Sequence, residues 1–140
     1  MWSDALITDG DASNGGPRGI QWKMPWNGQH VIVGLTSTSS ITSYPEFTNA
    51  VYFTSQPYQI GPNGVWGTAL NDLPNWRSPD IVWRIMAVGM TTEYSYKLGG
   101  STEWVLWDTT SVSTYPLRAA VDIWSPNSNC ENGPQDMAWI

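Results

Sequence analysis

The chain has 140 residues, a net charge of −6 and charged residues at only 13% of its positions. With only 6 lysines and arginines, it lacks the basic face that nucleic acid binding requires, and a simple electrostatic attachment to anionic membranes is also disfavoured. The surface must instead be covered by Ser, Thr, Asn, Gln and aromatic residues. The 10 prolines and 13 glycines exclude long helices from most of the chain.

Cysteine usage and the N-terminal residues bear on the cellular compartment. The single cysteine, Cys130, excludes an intramolecular disulfide and a cysteine-based zinc site. Asp4 and Asp9 stand where a signal peptide would have cations and an apolar run, which predicts a cytoplasmic or leaderless product, or a mature fragment. No apolar run approaches the roughly 18 residues of a membrane span, so no transmembrane segment is expected.

Short alternating runs between turn residues predict β-strands in the first half of the chain. The clearest run places Ile20, Trp22 and Met24 on one face. An Asn-Gly pair at Asn27 leads into the next run, which predicts a hairpin. The predicted strands are 2–8, 19–24, 30–36, 49–54 and 58–60.

The second half continues in the same pattern, and no stretch of the chain shows helical periodicity. Further strands are predicted from Val65 and over 81–88, 91–98, 103–109 and 117–124. Pattern and punctuation together predict an all-β domain of about ten short antiparallel strands, with a sandwich or barrel-like fold.

An internal repeat is indicated by two similar segments. TSSITSYP at Thr38–Pro45 recurs as TTSVSTYP at Thr109–Pro116, and IQWKM at Ile20–Met24 corresponds to IVWRI at Ile81–Ile85. Because these blocks occur in the same order, we expect a single domain made of two tandem repeats, about 1–64 and 65–140, with pseudo-twofold symmetry. The alternative is chance similarity in a chain rich in Ser, Thr, Gly and Trp.

Some of the 10 tryptophans are expected in the core. Trp22 and Trp83 are in phase with apolar neighbours and occur at matching places in the two proposed repeats. Trp104 shares a face of its strand with Leu106, so it is predicted to be buried as well.

Three other tryptophans are predicted to be exposed. Trp26 and Trp76 lie in polar, turn-rich loops, and Trp107 lies on the opposite face of its strand from Leu106. An indole face in water favours association with a ligand or partner. A sugar ring offers a patch of C–H bonds for an aromatic face and hydroxyls for neighbouring polar side chains. The predicted ligand-binding residues are Trp26, Asn27, Gln29 and His30 in the first repeat, and Asn75, Trp76, Arg77, Asp80, Trp107 and Asp108 in the second.

These features predict a carbohydrate-binding protein, a lectin with one Trp-lined site per repeat and glycans or glycoconjugates as partners. Two weak sites on one body, multiplied in a homo-oligomer, would gain avidity on a glycan-rich surface. No enzymatic activity is expected, because the only histidine, His30, begins an apolar strand without a nucleophile motif and the carboxylates are scattered.

No metal or cofactor is expected. Asp9-Gly10-Asp11 has the opening of a calcium loop, but Asn14 and Ile20 occupy the places of the required Gly and Glu. Two other functional classes remain as alternatives. The aromatic content would suit a membrane-interacting or pore-forming toxin-like protein. It would equally suit a self-assembling structural subunit of a capsid or filament.

Overall fold

A computed structural model describes residues 5–11, 13–25, 30–38, 46–61, 65–111, 115–124 and 134–140. These residues form ten strands in two antiparallel sheets of five, which confirms the predicted all-β fold. Within these ranges no helix is long and apolar enough to span a membrane. The strands are β1 Gly19–Lys23, β2 His30–Thr36, β3 Asn49–Phe53, β4 Pro57–Ile60, β5 Trp66–Ala69, β6 Val82–Val88, β7 Thr91–Lys97, β8 Val105–Ser111, β9 Arg118–Trp124 and β10 Gln135–Trp139.

Strands that follow one another in the sequence do not always lie in the same sheet. The first sheet has the order β10-β1-β6-β7-β8, and the second sheet has the order β5-β4-β3-β2-β9. The chain therefore changes sheets after β1, β5, β8 and β9. Each sheet has two edge strands, and the second sheet is bordered by β5 on one side.

The inner faces of both sheets supply one common hydrophobic core. In β6, Trp83, Ile85 and Ala87 are fully buried while the residues between them are only half-buried, as expected for a strand with one face inside. Trp22 and Trp83 are both fully buried, which confirms their prediction as core residues. The second sheet contributes Val31, Val33, Leu35, Val51 and Phe53 to the same cluster.

A smaller apolar cluster lies on the outer face of the second sheet, the face turned away from the common core. Phe47 is fully buried there against Ile32, Ala50 and Ile60. The segment before β3 is held in place because the Thr48 amide donates to the Leu35 carbonyl at 2.8 Å. Part of this outer face is therefore covered by the chain itself.

The predicted hairpin between the first two strands is wrong. β1 pairs with β10 and β6 in the first sheet, whereas β2 pairs with β3 and β9 in the second sheet. The residues between them therefore connect two sheets, and the apolar faces of β1 and β2 contribute to the common core from opposite sheets.

The sheet topology does not show the predicted pseudo-twofold symmetry. β1 and β6 do pair with Trp22 opposite Trp83. However, the proposed counterparts β2 and β8 lie in different sheets. Most of the first copy of the TSSITSYP motif and residues 112–114 of the second lie outside the described residues. The division of the domain into two repeats remains a prediction.

Candidate functional site

The predicted exposure of Trp76 is wrong. Its side chain is only 6% exposed and belongs to the common core, where it stacks on Phe53 with ring centroids 6.3 Å apart. The loop places it there through successive tight turns, in which the Trp76 amide donates to the Leu73 carbonyl at 3.2 Å. A polar loop sequence therefore conceals two residues, Leu73 and Trp76, that close one end of the core.

The polar neighbours of Trp76 do not converge on one site. Asn75 and Arg77 are exposed, and the Arg77 guanidinium lies 5.1 Å from the Trp76 ring centroid. Asp80 is exposed and lines a cleft with Lys23 on the outer face of the first sheet. The structure therefore provides no open indole surface for these residues to surround.

The faces of β8 are the reverse of the prediction. Leu106 is 56% exposed, whereas Trp107 packs against the core, with Trp83 and Tyr94 at ring distances of 6.4 and 6.2 Å. Trp107 does lie on the opposite face from Leu106, as predicted, but its face is the one that meets the core. A β-bulge leaves Trp107 as the extra residue, because Leu106 pairs with Ser95 and the residue after Trp107 pairs with Tyr94.

Two further predictions concern the neighbours of Trp107 in the chain. Trp104 was expected in the core but is half-buried on the outer face, where the guanidinium of Arg84 lies 4.0 Å from its ring centroid. Asp108 is half-buried, and its carboxylate accepts a hydrogen bond from the Thr109 amide at 2.8 Å. Trp107 and Asp108 therefore lie at the core and not on an open ligand surface.

The first predicted site is represented by one described residue. Trp26, Asn27 and Gln29 lie outside the described residues. His30 begins β2 and contacts Tyr52 through a hydrogen bond between its Nδ1 and the tyrosine hydroxyl at 2.9 Å. The two rings meet edge to face, with centroids 5.8 Å apart.

His30 leads to an aromatic patch that we define as His30, Tyr52, Tyr58 and Trp66. Trp66 contacts both tyrosines, with its ring centroid 4.9 Å from that of Tyr52 and 5.0 Å from that of Tyr58. Trp66 is 44% exposed and is the one aromatic residue among the large exposed apolar side chains of the described part of the chain. The aromatic patch therefore presents an indole to solvent on a base of tyrosine rings.

The pairing of β3, β4 and β5 places the two tyrosines and Trp66 of the patch next to one another. Tyr52 in β3 pairs directly with Tyr58 in β4, and paired residues share a face of an antiparallel sheet. Trp66 in β5 pairs with Ile60, and a bulge gives β5 one extra residue before Ala69 pairs with Tyr58. Val51 and Phe53 point into the common core, so Tyr52 between them points outward. Tyr58 pairs with Tyr52 and therefore points outward as well.

Polar groups surround the aromatic patch. The Gln56 side-chain amide donates to the Tyr58 hydroxyl at 3.0 Å. Asp122 lies on the same outer face, in the row that runs through Ile32 to Tyr52. Burial raises the pKa of the Asp122 carboxyl above its ordinary value, and the negative charge of Glu46 raises it further. The patch thus has hydroxyl, amide and imidazole groups at its edge, and the Asp122 carboxyl lies on the same outer face of the second sheet.

Sequence reasoning missed Tyr52, Tyr58 and Trp66. A signal for the tyrosines was present, because Tyr52 alternates with the apolar residues of its strand and the turn at 54–56 places Tyr58 opposite it. Trp66 stood in a run that was interpreted only as the start of the second repeat.

The Asp-rich loop near the N-terminus uses its carboxylates as acceptors for its own backbone. The Asp11 amide donates to Asp9 at 3.2 Å, and the Ser13 amide donates to Asp11 at 3.1 Å. The hydrogen bond from the Ser13 backbone, and then the one with Asp9, lowers the pKa of Asp11. No group of three or more His, Cys, Asp or Glu side chains in the described ranges could hold a metal ion.

Comparison of the chain with known protein families, curated proteins and solved structures finds no match.

Proposed function

We propose that the protein binds carbohydrate through the aromatic patch, without catalysing a reaction on it. The observation that carries this proposal is the 44% exposed indole of Trp66, which packs against the rings of Tyr52 and Tyr58. A single exposed apolar residue is common, but a supported and oriented indole is a preformed surface. Little side-chain entropy would be lost when a ligand covers it.

The chemistry of the patch matches that of a neutral sugar ring. The C–H face of the ring would pack on Trp66, and its hydroxyls would exchange hydrogen bonds with the phenol of Tyr58 and the side-chain amide of Gln56. The tyrosine hydroxyls both donate and accept, which suits a ligand whose hydroxyls do the same. This arrangement supports selective binding of uncharged glycans at the surface.

Several copies of the chain would be needed for tight binding to a glycan-coated surface. A single shallow patch binds weakly, and repeated copies convert later contacts into intramolecular ones. We therefore also propose that the chain forms a homo-oligomer that recognises glycans multivalently. The edge strand β5 carries Trp66, and an exposed strand edge is a common place for contacts between subunits.

A glycan array followed by titration calorimetry tests the proposal. We expect binding to one class of neutral glycan, and an affinity about three- to tenfold lower for Trp66→Ala, because an aromatic contact contributes about 0.5–1.5 kcal/mol. Val65→Ala is the matched control, since Val65 is the preceding residue and is 63% exposed. Its affinity should remain that of the unaltered chain.

Two further variants sharpen the test. Tyr58→Phe keeps the ring that supports Trp66 and removes one hydroxyl, so it should weaken binding less than Trp66→Ala. Trp76→Ala should lower the thermal stability and leave the affinity of the remaining folded protein unchanged, because that indole is buried. Unaltered glycan binding by Trp66→Ala would contradict the proposal.

The same protein preparation distinguishes the other two functional classes. Leakage of dye from sugar-free lipid vesicles would indicate membrane insertion of the exposed apolar residues. Elution as a large assembly that requires Trp66 and ignores added sugars would indicate that the patch is a contact between subunits. Either result, in the absence of glycan binding, would replace the carbohydrate proposal.

A further inference from the structure

A second concave feature lies on the outer face of the first sheet. It is a cleft of about 320 Å³, at the lower end of the roughly 300–1,000 Å³ range of small-molecule sites. Val82 lies in the middle of its sheet wall, flanked by Lys23 and Lys97, because Val82 pairs with both lysines across β1, β6 and β7. Asp80 and the turn 98–101 form the remaining wall.

The two lysines are spaced for one shared anion. Adjacent strands lie about 4.8 Å apart, so the backbones of Lys23 and Lys97 are separated by about 10 Å across Val82. Each ammonium group is carried on a flexible four-carbon stem. A single carboxylate above Val82 is therefore within reach of both.

The present partners of these lysines hold them weakly. The Lys23 ammonium lies 3.8 Å from Asp136, but the two side chains are 39% and 74% exposed. The Lys97 ammonium lies 5.1 Å from the Trp104 ring centroid. Neither contact is fully buried, and ion pairs and cation–π contacts of this kind contribute little, so an anion that enters the cleft can replace them.

Half of the chain's cations lie around the cleft. Lys23, Arg84 and Lys97 are three of the 6 cations, and they occupy adjacent rows of one sheet face in a chain of net charge −6. The Arg84 guanidinium lies over Trp104 and its Nε has no hydrogen-bond partner among the described residues. Glu93 lies near Arg84, while Asp80 and Asp136 lie near the lysines, so an anion that binds both lysines must displace Asp136 from Lys23.

Asp80 indicates that the ligand is not a simple anion. A carboxylate in the lining would repel the more highly charged phosphate more strongly than a singly charged carboxylate, and it would accept hydrogen bonds from hydroxyl groups. The Gly99 backbone lies against Asp80, since a Cβ at Gly99 would be 2.7 Å from the Asp80 Cβ. Val82 and Leu98 supply apolar contacts for C–H groups. The complementary ligand has one anionic group, several hydroxyls and a C–H face.

We infer that this cleft is a second ligand site that binds an acidic monosaccharide unit of the uronic acid class, with its carboxylate between Lys23 and Lys97 and its hydroxyls at Asp80. The cleft is on the sheet opposite to the aromatic patch. The inference therefore does not depend on the proposed function of that patch.

Titration calorimetry with glucuronic acid, glucose and inorganic phosphate tests the inference. Glucuronic acid should bind most tightly and bind more weakly as salt is added. Lys23→Met and Lys97→Met keep the apolar stems and should each reduce its affinity about three- to tenfold. Arg118→Met is the matched control, because it makes the same change in net charge on the outer face of the second sheet and should leave binding unchanged.

Asp80→Asn distinguishes a sugar acid site from a general anion site. It should lower the affinity for glucuronic acid relative to that for phosphate, because the neutral amide oxygen accepts hydrogen bonds from sugar hydroxyls less strongly than a carboxylate, while the loss of the negative charge reduces the repulsion of both anions. Equal affinities for glucose and glucuronic acid, equal affinities for phosphate and glucuronic acid, or an Arg118→Met loss equal to that of the lysine variants would overturn the inference. Trp66→Ala should retain glucuronic acid binding even if it loses neutral glycans.

Discussion

At the scale of single residues, the Tyr94 hydroxyl joins the two sheets through hydrogen bonds. It lies in β7 of the first sheet and accepts hydrogen bonds from the Asn49 side-chain amide at 2.9 Å and the Gln59 amide at 3.4 Å, both in the second sheet. It also donates to the Ile60 carbonyl at 3.3 Å. Tyr94 is fully buried, so these partners replace the water that its hydroxyl would otherwise bind.

Tyr94→Phe should lower the free energy of unfolding by about 1–3 kcal/mol, because the buried amides of Asn49 and Gln59 lose an acceptor. Tyr58→Phe is the control, since its hydroxyl bonds a partly buried amide, and it should cost less than about 1 kcal/mol. Urea titrations at neutral pH measure both. Equal losses in the two variants would contradict a bridging role for Tyr94.

The loss of stability in Tyr94→Phe should depend on pH. Burial raises the pKa of the Tyr94 hydroxyl above its ordinary value of 10.0. The folded state therefore holds this proton where the unfolded state releases it, and the stabilisation present below pH 10 is lost as the pH rises through the folded pKa. The urea titrations repeated above pH 10 should show a smaller difference between Tyr94→Phe and the unaltered chain than at neutral pH.

At the level of elements, β2 explains how the second sheet is covered on its outer face. Gly34 lies at the centre of β2 and pairs with Ala50 in β3 and Ala120 in β9, so three small residues form one row. Phe47 is buried in the cluster that includes Ala50. The low row accommodates the ring of Phe47 on the outer face.

Gly34→Ala should destabilise the protein by about 1–3 kcal/mol or more, because the added Cβ would be 2.4 Å from the Ala50 Cβ and 2.3 Å from the Asn49 carbonyl oxygen. Thr68→Ala, at an exposed position of β5, should change stability by less than about 0.5 kcal/mol. Thermal unfolding gives both values. The double variant Gly34→Ala with Ala50→Gly should recover part of the loss, and no recovery would show that the strain lies elsewhere.

At the level of the whole molecule, Phe53 connects the sheets through a cluster of aromatic rings. It belongs to the second sheet, yet its ring contacts Trp22 at 6.3 Å and Trp83 at 5.0 Å in the first sheet. Trp76, from the loop between β5 and β6, stacks on it as well. Because one ring contacts both sheets and a loop, we expect the sheets to unfold as one cooperative unit.

Phe53→Ala should lower the free energy of unfolding by about 3–5 kcal/mol through loss of burial and the cavity that remains. Tyr52→Ala, on the opposite face of the same strand, should cost less because Tyr52 is only half-buried. Tryptophan fluorescence and far-ultraviolet circular dichroism should report one coincident transition in the unaltered chain. Two separate transitions would show that the sheets are independently stable.

The amino-acid sequence by itself determined where the strands lie and which class of fold they form. Alternation with period two is a local property, so β2 at His30–Thr36 and the burial of Trp22 and Trp83 followed from the sequence. The composition likewise predicted a surface covered mainly by uncharged polar and aromatic residues, with few charged ones. These features need no knowledge of which strand pairs with which.

Only the tertiary structure decided the strand partners and the surfaces that result. The alternation that separates Leu106 from Trp107 is local, but which of the two faces meets the core is not, and a loop of polar composition folded back to bury Trp76. The aromatic patch combines residues from four adjacent strands of the second sheet, and the cleft above Val82 combines residues from three adjacent strands of the first sheet. Pairing between strands distant in sequence depends on how all apolar faces are buried together, and no local pattern in the chain contains that information.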